Sequence, residues 1–305
     1  MTSETSSYSD TAVLIPCLNE APTIHRVVTS FMNEIPHAQI FVIDNGSTDA
    51  TISEALSAGA TVVRQSLPGK GNAIRKAFAT IDAEVYVMVD GDGTYDSSSV
   101  KTLISIVRSG AADLAIANRR YSIETTPQRK GHVFGNRFFS WIVRRLFAID
   151  VNDVLSGYRA MSKRFVKSFP MMSRGFEVEV EIAAHASLLH AEVKTVDSAY
   201  FNRDELSSSK LRTLRDGLRI VLAVFRIYRS FAPARFFGSL SGLCFLLSIF
   251  IQSQSFNQTS TADSVSIGLV VICVVFFTIG VVLNSQSRIQ RQIIRLAYIG
   301  TISSR

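Results

Sequence analysis

The first 120 residues alternate between short apolar runs and longer stretches with helical spacing. TAVLIPC, QIFVIDN, TVVRQ, VYVMVD and DLAIAN each end in polar residues or a Pro/Gly element, and each predicts a buried strand. Between them Ala21–Glu34, Ala50–Ala58, Gly71–Thr80 and Ser97–Ser109 have the period of helices. Strand–helix alternation of this kind predicts an α/β fold: βαβ units forming a mainly parallel sheet flanked by helices. Its ligand crevice would lie at the carboxyl ends of the strands.

Residues 121–201 are less regular and read as the second half of the same domain. They hold a basic helix-like stretch, Gln128–Phe147, the segment DVLSGYRAMSKRF, and the alternating run GFEVEVEI. The alternation of Glu177, Glu179 and Glu181 predicts one charged face of an edge strand rather than a catalytic array. His185 and His190 fall on a helix-like run and are expected to be structural. The next segment, SKLRTLRDGLRIVLAVFRIYRS, is helical in period, basic along one side and apolar along the other, as a helix lying in a membrane interface would be.

Two uncharged apolar runs close the chain, Phe236–Phe256 and Val265–Leu283, each long enough to cross a hydrocarbon core of about 30 Å. The loop between them, QSQSFNQTSTADS, has no Lys or Arg, and its NQT triplet at Asn257 is read as incidental. Arg226, Arg229 and Arg235 precede the first run and Arg288, Arg291 and Arg295 follow the second, so the positive-inside bias places both ends in the cytosol. The expected organisation is a tail at 1–10, a cytosolic catalytic domain at 11–205 and an interfacial juxtamembrane helix at 206–232. A transmembrane hairpin at 233–284 and a cytosolic amphipathic segment at 285–305 complete it.

Composition agrees with a membrane protein. Hydrophobic residues are 47% of the 305, and the mean hydropathy of +0.22 is high for a soluble enzyme. The net charge of +7 suits either nucleic acid or an anionic bilayer. Nucleic acid is disfavoured, because the basic residues cluster beside the apolar runs without a stacking aromatic platform. Cys17, Cys244 and Cys273 are too scattered for a disulfide framework or a zinc site. The Ser/Thr-rich N-terminus has no secretory signal pattern, which leaves the bulk of the chain expected in the cytosol.

The strongest chemical segment is VMVDGDGTYD, where Asp90 and Asp92 follow a strand in a Gly-rich turn. Two carboxylates at i and i+2 can hold a hard divalent cation, and Gly91 and Gly93 let the backbone approach a diphosphate. The competing reading is a polar turn with an Asx motif. LIPCLNEAPTI, VIDNGSTDAT and LPGKGNAIRKAF place further polar groups at strand ends. Asp44 can accept from ribose hydroxyls or a base there, and Lys70, at a glycine-flanked helix start, can meet phosphate oxygens. PGKGNA lacks P-loop spacing, and neither GKGNAI nor GDGTYD completes a dinucleotide fingerprint.

IPCLNE, VIDNGSTD, GKGNAIRKAF, VDGDGTYD, DVLSGYR and RGFEVEVEI, in this order from about Ala12 to Leu222, resemble a family 2 glycosyltransferase of the GT-A fold. The branch it looks like holds dolichyl-phosphate mannose synthase and the bacterial polyprenyl-phosphate glycosyltransferases. That resemblance implies a nucleotide diphosphate sugar donor, a polyprenyl phosphate acceptor, and Mg²⁺ or Mn²⁺ as cofactor. It implies that Pro16, Glu20, Asp44, Lys70, Asp90 and Gly91 line the donor pocket, with Leu18 where relatives often have an aromatic. Asp90 and Asp92 would be the Asp-x-Asp pair, Asp92 the direct metal ligand, and Thr94 a further polar ligand. Asp153 would sit near the transferred sugar.

Arg119, Arg129, Arg203, Ser209 and Lys210 would bind the acceptor phosphate, and Leu206 replaces a glycine usual in that last element. A solvated basic face against anionic lipid is the competing reading of Arg119, Arg129 and Lys210. A glycosyltransferase acting on a hydroxyl, a non-catalytic membrane scaffold, and a homo-oligomer also stay open. The processive-synthase version is disfavoured, because its Gln-x-x-Arg-Trp element is missing and the one tryptophan, Trp141, lies in FFSWIV. The expected location is an integral membrane protein with a cytosolic catalytic domain, in a bacterial plasma membrane, or in the endoplasmic reticulum if eukaryotic.

Overall fold

A computed structural model describes residues 8–121, 140–147, 149, 151, 153–175, 177–201, 213–254 and 260–300. An interior strand, β1 (Thr11–Cys17), carries a largely apolar run that is buried between neighbouring strands and beneath helices. The other strands are β2 (Gln39–Asp44), β3 (Thr61–Arg64), β4 (Val85–Met88), β5 (Leu114–Tyr121), β6 (Arg159–Ser162) and β7 (Val193–Tyr200). They form one seven-stranded sheet in the order β3-β2-β1-β4-β6-β5-β7. All run parallel except β6, which is antiparallel to both β4 and β5. The expected mainly parallel α/β sheet is present, with the reversal of strand order between β1 and β4 that marks a ligand crevice.

Helices α1 (Ala21–Glu34), α2 (Thr51–Ser57), α3 (Lys70–Thr80) and α4 (Val100–Arg108) follow β1, β2, β3 and β4. α1 buries Ile24, Val27, Val28 and Phe31, and α4 buries Val100, Leu103, Ile104 and Val107. These positions form one stripe per helix, which is why both were legible from periodicity. Val13, Ile15 and Val87 from the sheet, with Tyr158 just before β6, close the core beneath them. α5 (Lys163–Lys167) and α6 (Val178–Leu189) complete this part, and residues 140–147 are also helical.

Three expectations change. TVVRQ is not a buried strand: β3 is the sheet edge, with Thr61 and Arg64 exposed. The 97–109 stretch begins as a 3₁₀ turn at Ser97–Ser99, capped by Asp96, before α4 starts. GFEVEVEI forms no edge strand, because from Val178 it is the first turn of α6. That helix is buried on nearly all faces, so its sequence carries no amphipathic period to oppose the alternation. The edge strand on this side of the sheet is β7, opposite β3, and it pairs with β5 from Leu114↔Val193 to Tyr121↔Tyr200.

His185 lies in α6, buried, with Nε2 3.1 Å from Ser168 Oγ; His190 ends that helix in a left-handed conformation. His185 thus packs in the core, and His190 sits exposed at the helix end.

Beyond β7 come α7 (Thr213–Phe231), α8 (Pro233–Gln254) and α9 (Ser260–Gly300). The chain divides into two compact units, one of Met1–Ile220 with Ile294–Arg305 and one of Val221–Ile293. Within the first, Tyr298 Oη donates to Asp113, which also pairs with Arg164, and Arg295 donates to the carbonyl of Leu188. Within the second, Ser241 Oγ donates to the carbonyl of Cys273 at 3.0 Å and the hydroxyls of Ser248 and Ser266 lie 2.8 Å apart. Small polar residues at the α8–α9 contact are the packing that membrane helix pairs use. Leu246, Phe250, Ile272 and Phe277 point outward, exposed. Pro233–Ser253 and Thr261–Gly300 are both long and apolar enough to cross a membrane, and little of either is buried inside the protein.

Candidate active site

Four strand ends meet at the crevice. Asp44 ends β2, and its two carboxylate oxygens accept the N–H groups of Gly46 and Ser47 at 3.2 and 3.1 Å. The carboxylate therefore shapes the turn that carries it. Pro16, near the end of β1, lies beyond the last residue paired with β4, so the missing N–H breaks no bond to that strand. Glu20 is buried before α1, its N–H donating to Thr51 Oγ1 at 2.8 Å. Asn19, in the left-handed region at φ 51°, accepts from Thr48 N–H at 2.8 Å. The first two strand-end loops are thus tied together. Leu18 stays exposed at their rim.

Asn45 escaped the sequence reading. Its side chain donates to the carbonyls of Gln65 and Leu67 and accepts from Gly69 N–H, pinning the loop that delivers Lys70. A side-chain amide next to Asp44 was the signal available, but its partners lie 20 to 24 residues away.

The β4 end carries the acidic pair. Gly91 has no room for a side chain, since a Cβ there would stand 2.5 Å from Cys17 Sγ; its carbonyl accepts from Thr23 Oγ1 at 2.7 Å. Asp92 is buried, and its Oδ1 accepts from the N–H and hydroxyl of Thr94 at 3.2 and 2.6 Å. Asp90 is more open. A Cβ on Gly157 would lie 2.3 Å from its Oδ2, so the 153–157 segment reaches this carboxylate only because residue 157 is glycine. The register Met88↔Arg159 between β4 and β6 brings that segment here. Tyr95 Oη accepts the Gly157 N–H at 2.7 Å, and burial holds this phenol well above its ordinary range, hence neutral.

Lys70 begins α3 and sends Nζ to Asp90 Oδ1 at 2.5 Å and Glu179 Oε1 at 2.6 Å. Burial lowers its pKa, but Asp90 and Glu179 more than offset this and leave the ammonium raised above the usual lysine value. Arg119, on β5, forms a bidentate pair with Asp153, Nε to Oδ2 at 2.6 Å and Nη2 to Oδ1 at 2.7 Å, and lies over the ring of Tyr200. The structure therefore joins two residues expected on different partners, acceptor phosphate and sugar. Arg129, Arg203, Ser209 and Lys210 lie outside the described residues.

The donor set suits a divalent cation of a particular kind. Among the described residues no three acidic, His or Cys side chains converge as a complete metal cage. Two neighbouring carboxylates in a glycine turn match the way Mg²⁺ is bound, with one or two protein carboxylates and substrate phosphates filling the shell.

Comparison with known proteins agrees with the fold and the motif order. The glycosyl transferase family 2 profile matches residues 12–169. Glycosyltransferase AglJ of Haloferax volcanii is 35% identical over 233 residues, 75% of each chain. Polyprenol monophosphomannose synthase of Mycolicibacterium smegmatis is 25% identical over 233 residues, 71% of this chain and 85% of that one, which bears out the resemblance to the polyprenyl-phosphate branch. The crystal structure of glucosyl-3-phosphoglycerate synthase from Mycobacterium tuberculosis, in complex with Mn²⁺ and uridine-diphosphate-glucose, shares the GT-A fold. It superposes with a TM-score of 0.57 at 22% identity, covering 71% of this chain and 78% of that one. A crevice with an Asp-Gly-Asp turn, on a sheet of this order and with these relatives, belongs to a glycosyltransferase of family 2.

Proposed function

We propose that this enzyme transfers a sugar from a nucleotide diphosphate sugar to a polyprenyl phosphate, with inversion at the anomeric carbon, at the cytosolic face of a membrane. The observation that carries the reading is the Asp90–Gly91–Asp92 turn at the sheet crevice, on a chain that ends in two exposed apolar helices. The similarity to a polyprenol monophosphomannose synthase and to a Mn²⁺-bound structure of the same fold supports the acceptor class and the cation.

A phosphate oxygen of the lipid attacks the anomeric carbon as the bond to the nucleoside diphosphate breaks. The acceptor phosphate is anionic near pH 7, so no strong base is required, whereas a hydroxyl acceptor would need one. Asp153, one candidate base, is committed to Arg119, which favours the phosphate reading. Asp92, oriented by Thr94, and Asp90 would hold Mg²⁺ or Mn²⁺, which when bound neutralises charge on the leaving diphosphate. Pro16, Glu20, Asp44 and Gly91 would line the donor pocket, and Lys70 would meet phosphate oxygens. Arg119, Arg129, Arg203, Ser209 and Lys210 would hold the acceptor phosphate through charge-assisted hydrogen bonds. Residues 11–205 would form the catalytic domain, α7 would lie in the interface, and α8 and the apolar part of α9 would span the bilayer.

The test is to incubate the purified full chain with a panel of nucleotide sugars, a polyprenyl phosphate and Mn²⁺, and to identify the lipid product. Formation of a polyprenyl-phosphate sugar of inverted configuration is the expected result. Transfer to a lipid or sugar hydroxyl with none to the phosphate would overturn it.

A further inference from the structure

Glu179 lies deep in the site and makes an incomplete set of contacts. Its Oε1 accepts from Lys70, whereas its Oε2 is buried with no hydrogen-bond partner among the described residues. The three charged side chains descend from the crevice: Asp90 is 29% exposed, Lys70 10% and Glu179 5%. Below them Arg159 is fully buried, donating to the carbonyls of Ser156, Val154 and Glu179. The Glu179 main chain is therefore fixed while half of its carboxylate is unsatisfied. A buried carboxylate in that state costs stability, so packing alone gives no account of it.

The geometry supplies another. Lys70 holds Asp90 Oδ1, an oxygen of the pair that would take a cation. A cation and an ammonium compete for that oxygen. With Glu179 present, Lys70 keeps a carboxylate partner 2.6 Å away when Asp90 turns to the cation. Without it the ammonium loses one of its two carboxylate partners among the described residues, and its hold on Asp90 tightens.

We propose that Glu179 is a positioning residue that draws Lys70 off Asp90, so that the carboxylate is free for the cation and the lysine stays poised beside the donor's phosphates. The inference rests on the metal reading of Asp90 and Asp92 given above, and adds a residue that acts through Lys70 without touching substrate.

Mn²⁺ binding to the detergent-purified full chain in the presence of saturating UDP or GDP, followed by electron paramagnetic resonance, tests it independently of turnover. Wild type, Glu179→Gln, Lys70→Met and the double variant form a cycle. Glu179→Gln is expected to weaken Mn²⁺ by about fivefold or more, the scale of a charge-assisted hydrogen bond in partial competition. In the Lys70→Met background the same substitution should cost less than half as much on a logarithmic scale, because the competitor is gone. An unchanged Mn²⁺ affinity in Glu179→Gln, or a loss at least half as large in both backgrounds, overturns the proposal. Asp92→Ala separates the two levels. If wild type shows no Mn²⁺ binding that depends on Asp92, the metal reading fails and this inference falls with it. If that binding is present but the cycle shows no coupling, only the role of Glu179 fails.

Discussion

Arg119 and Asp153 face each other across 34 residues of chain and form a two-pronged ion pair, both contacts between 2.6 and 2.7 Å and both side chains mostly buried. The pair joins β5 to the segment that passes beside Asp90. Removing either partner leaves the other charge buried, which typically costs 3–5 kcal/mol, roughly, so each single variant carries a folding penalty. Arg119→Lys keeps the charge and loses the fork. It is expected to raise the KM for polyprenyl phosphate about tenfold while leaving nucleotide affinity within about twofold. Acceptor kinetics and nucleotide titration, run separately, check this; a loss confined to nucleotide binding would put Arg119 on the donor side.

Metal dependence should follow the acidic turn. Asp92→Ala is expected to reduce kcat by about a thousandfold, on the scale of losing an electrostatic group at the reacting diphosphate, in a chain that still folds but melts a few degrees lower because the Thr94 donors lose their acceptor. Excess EDTA should abolish transfer by wild type, and Mg²⁺ or Mn²⁺ should restore it. Full turnover in chelator would remove the cation from the mechanism.

Gly157→Ala places a methyl 2.3 Å from Asp90 Oδ2. Asp90 must then rotate or the β6 approach must shift. We expect kcat/KM to fall about tenfold or more, since misplacement near 1 Å at a reacting site costs up to a hundredfold. Gly238→Ala, where nothing lies within 4 Å of the new carbon and the backbone, as at Gly157, is not left-handed, controls for the added methyl itself.

The pH dependence of stability should carry a signature of His185. Burial pushes its pKa from 6.5 down to about 4. Above pH 6.5 the imidazole is neutral in both folded and unfolded chains and costs nothing. As pH falls from 6.5 toward 4 the unfolded chain gains a proton that the folded one refuses, and stability drops by up to about 3 kcal/mol. Melting temperatures of wild type and His185→Gln between pH 4 and 7 should therefore converge at the acid end. Parallel curves would mean that His185 charges freely in the fold.

Topology is open to reporters. The arginines flanking the apolar helices predict both ends in the cytosol, and Tyr298 and Arg295 pack within the same compact unit as the sheet. A reporter fused after Arg305 should read cytosolic, and one inserted at 257–262 should read external. An external C-terminus would contradict both observations.

Local pattern was enough for the first elements of the sheet and the helices that follow them. β1, β2, β4, α1 and α4 each bury one stripe or one continuous run, and such spacing is a property of neighbouring residues. The Asp90–Asp92 turn was legible for the same reason, since both carboxylates and both glycines lie within four consecutive positions. Strand order, the antiparallel insertion of β6 and the edge position of β3 were not, because they depend on which surfaces pair across the sheet. The helix at Glu179 was hidden by burial all round, which erases amphipathic period. Its link to Lys70 bridges 109 residues, and the pairing of Arg119 with Asp153 bridges 34. Contacts of that range arise only when the sheet has assembled, and they decide which of the sequence's charged residues face one another and which face the crevice.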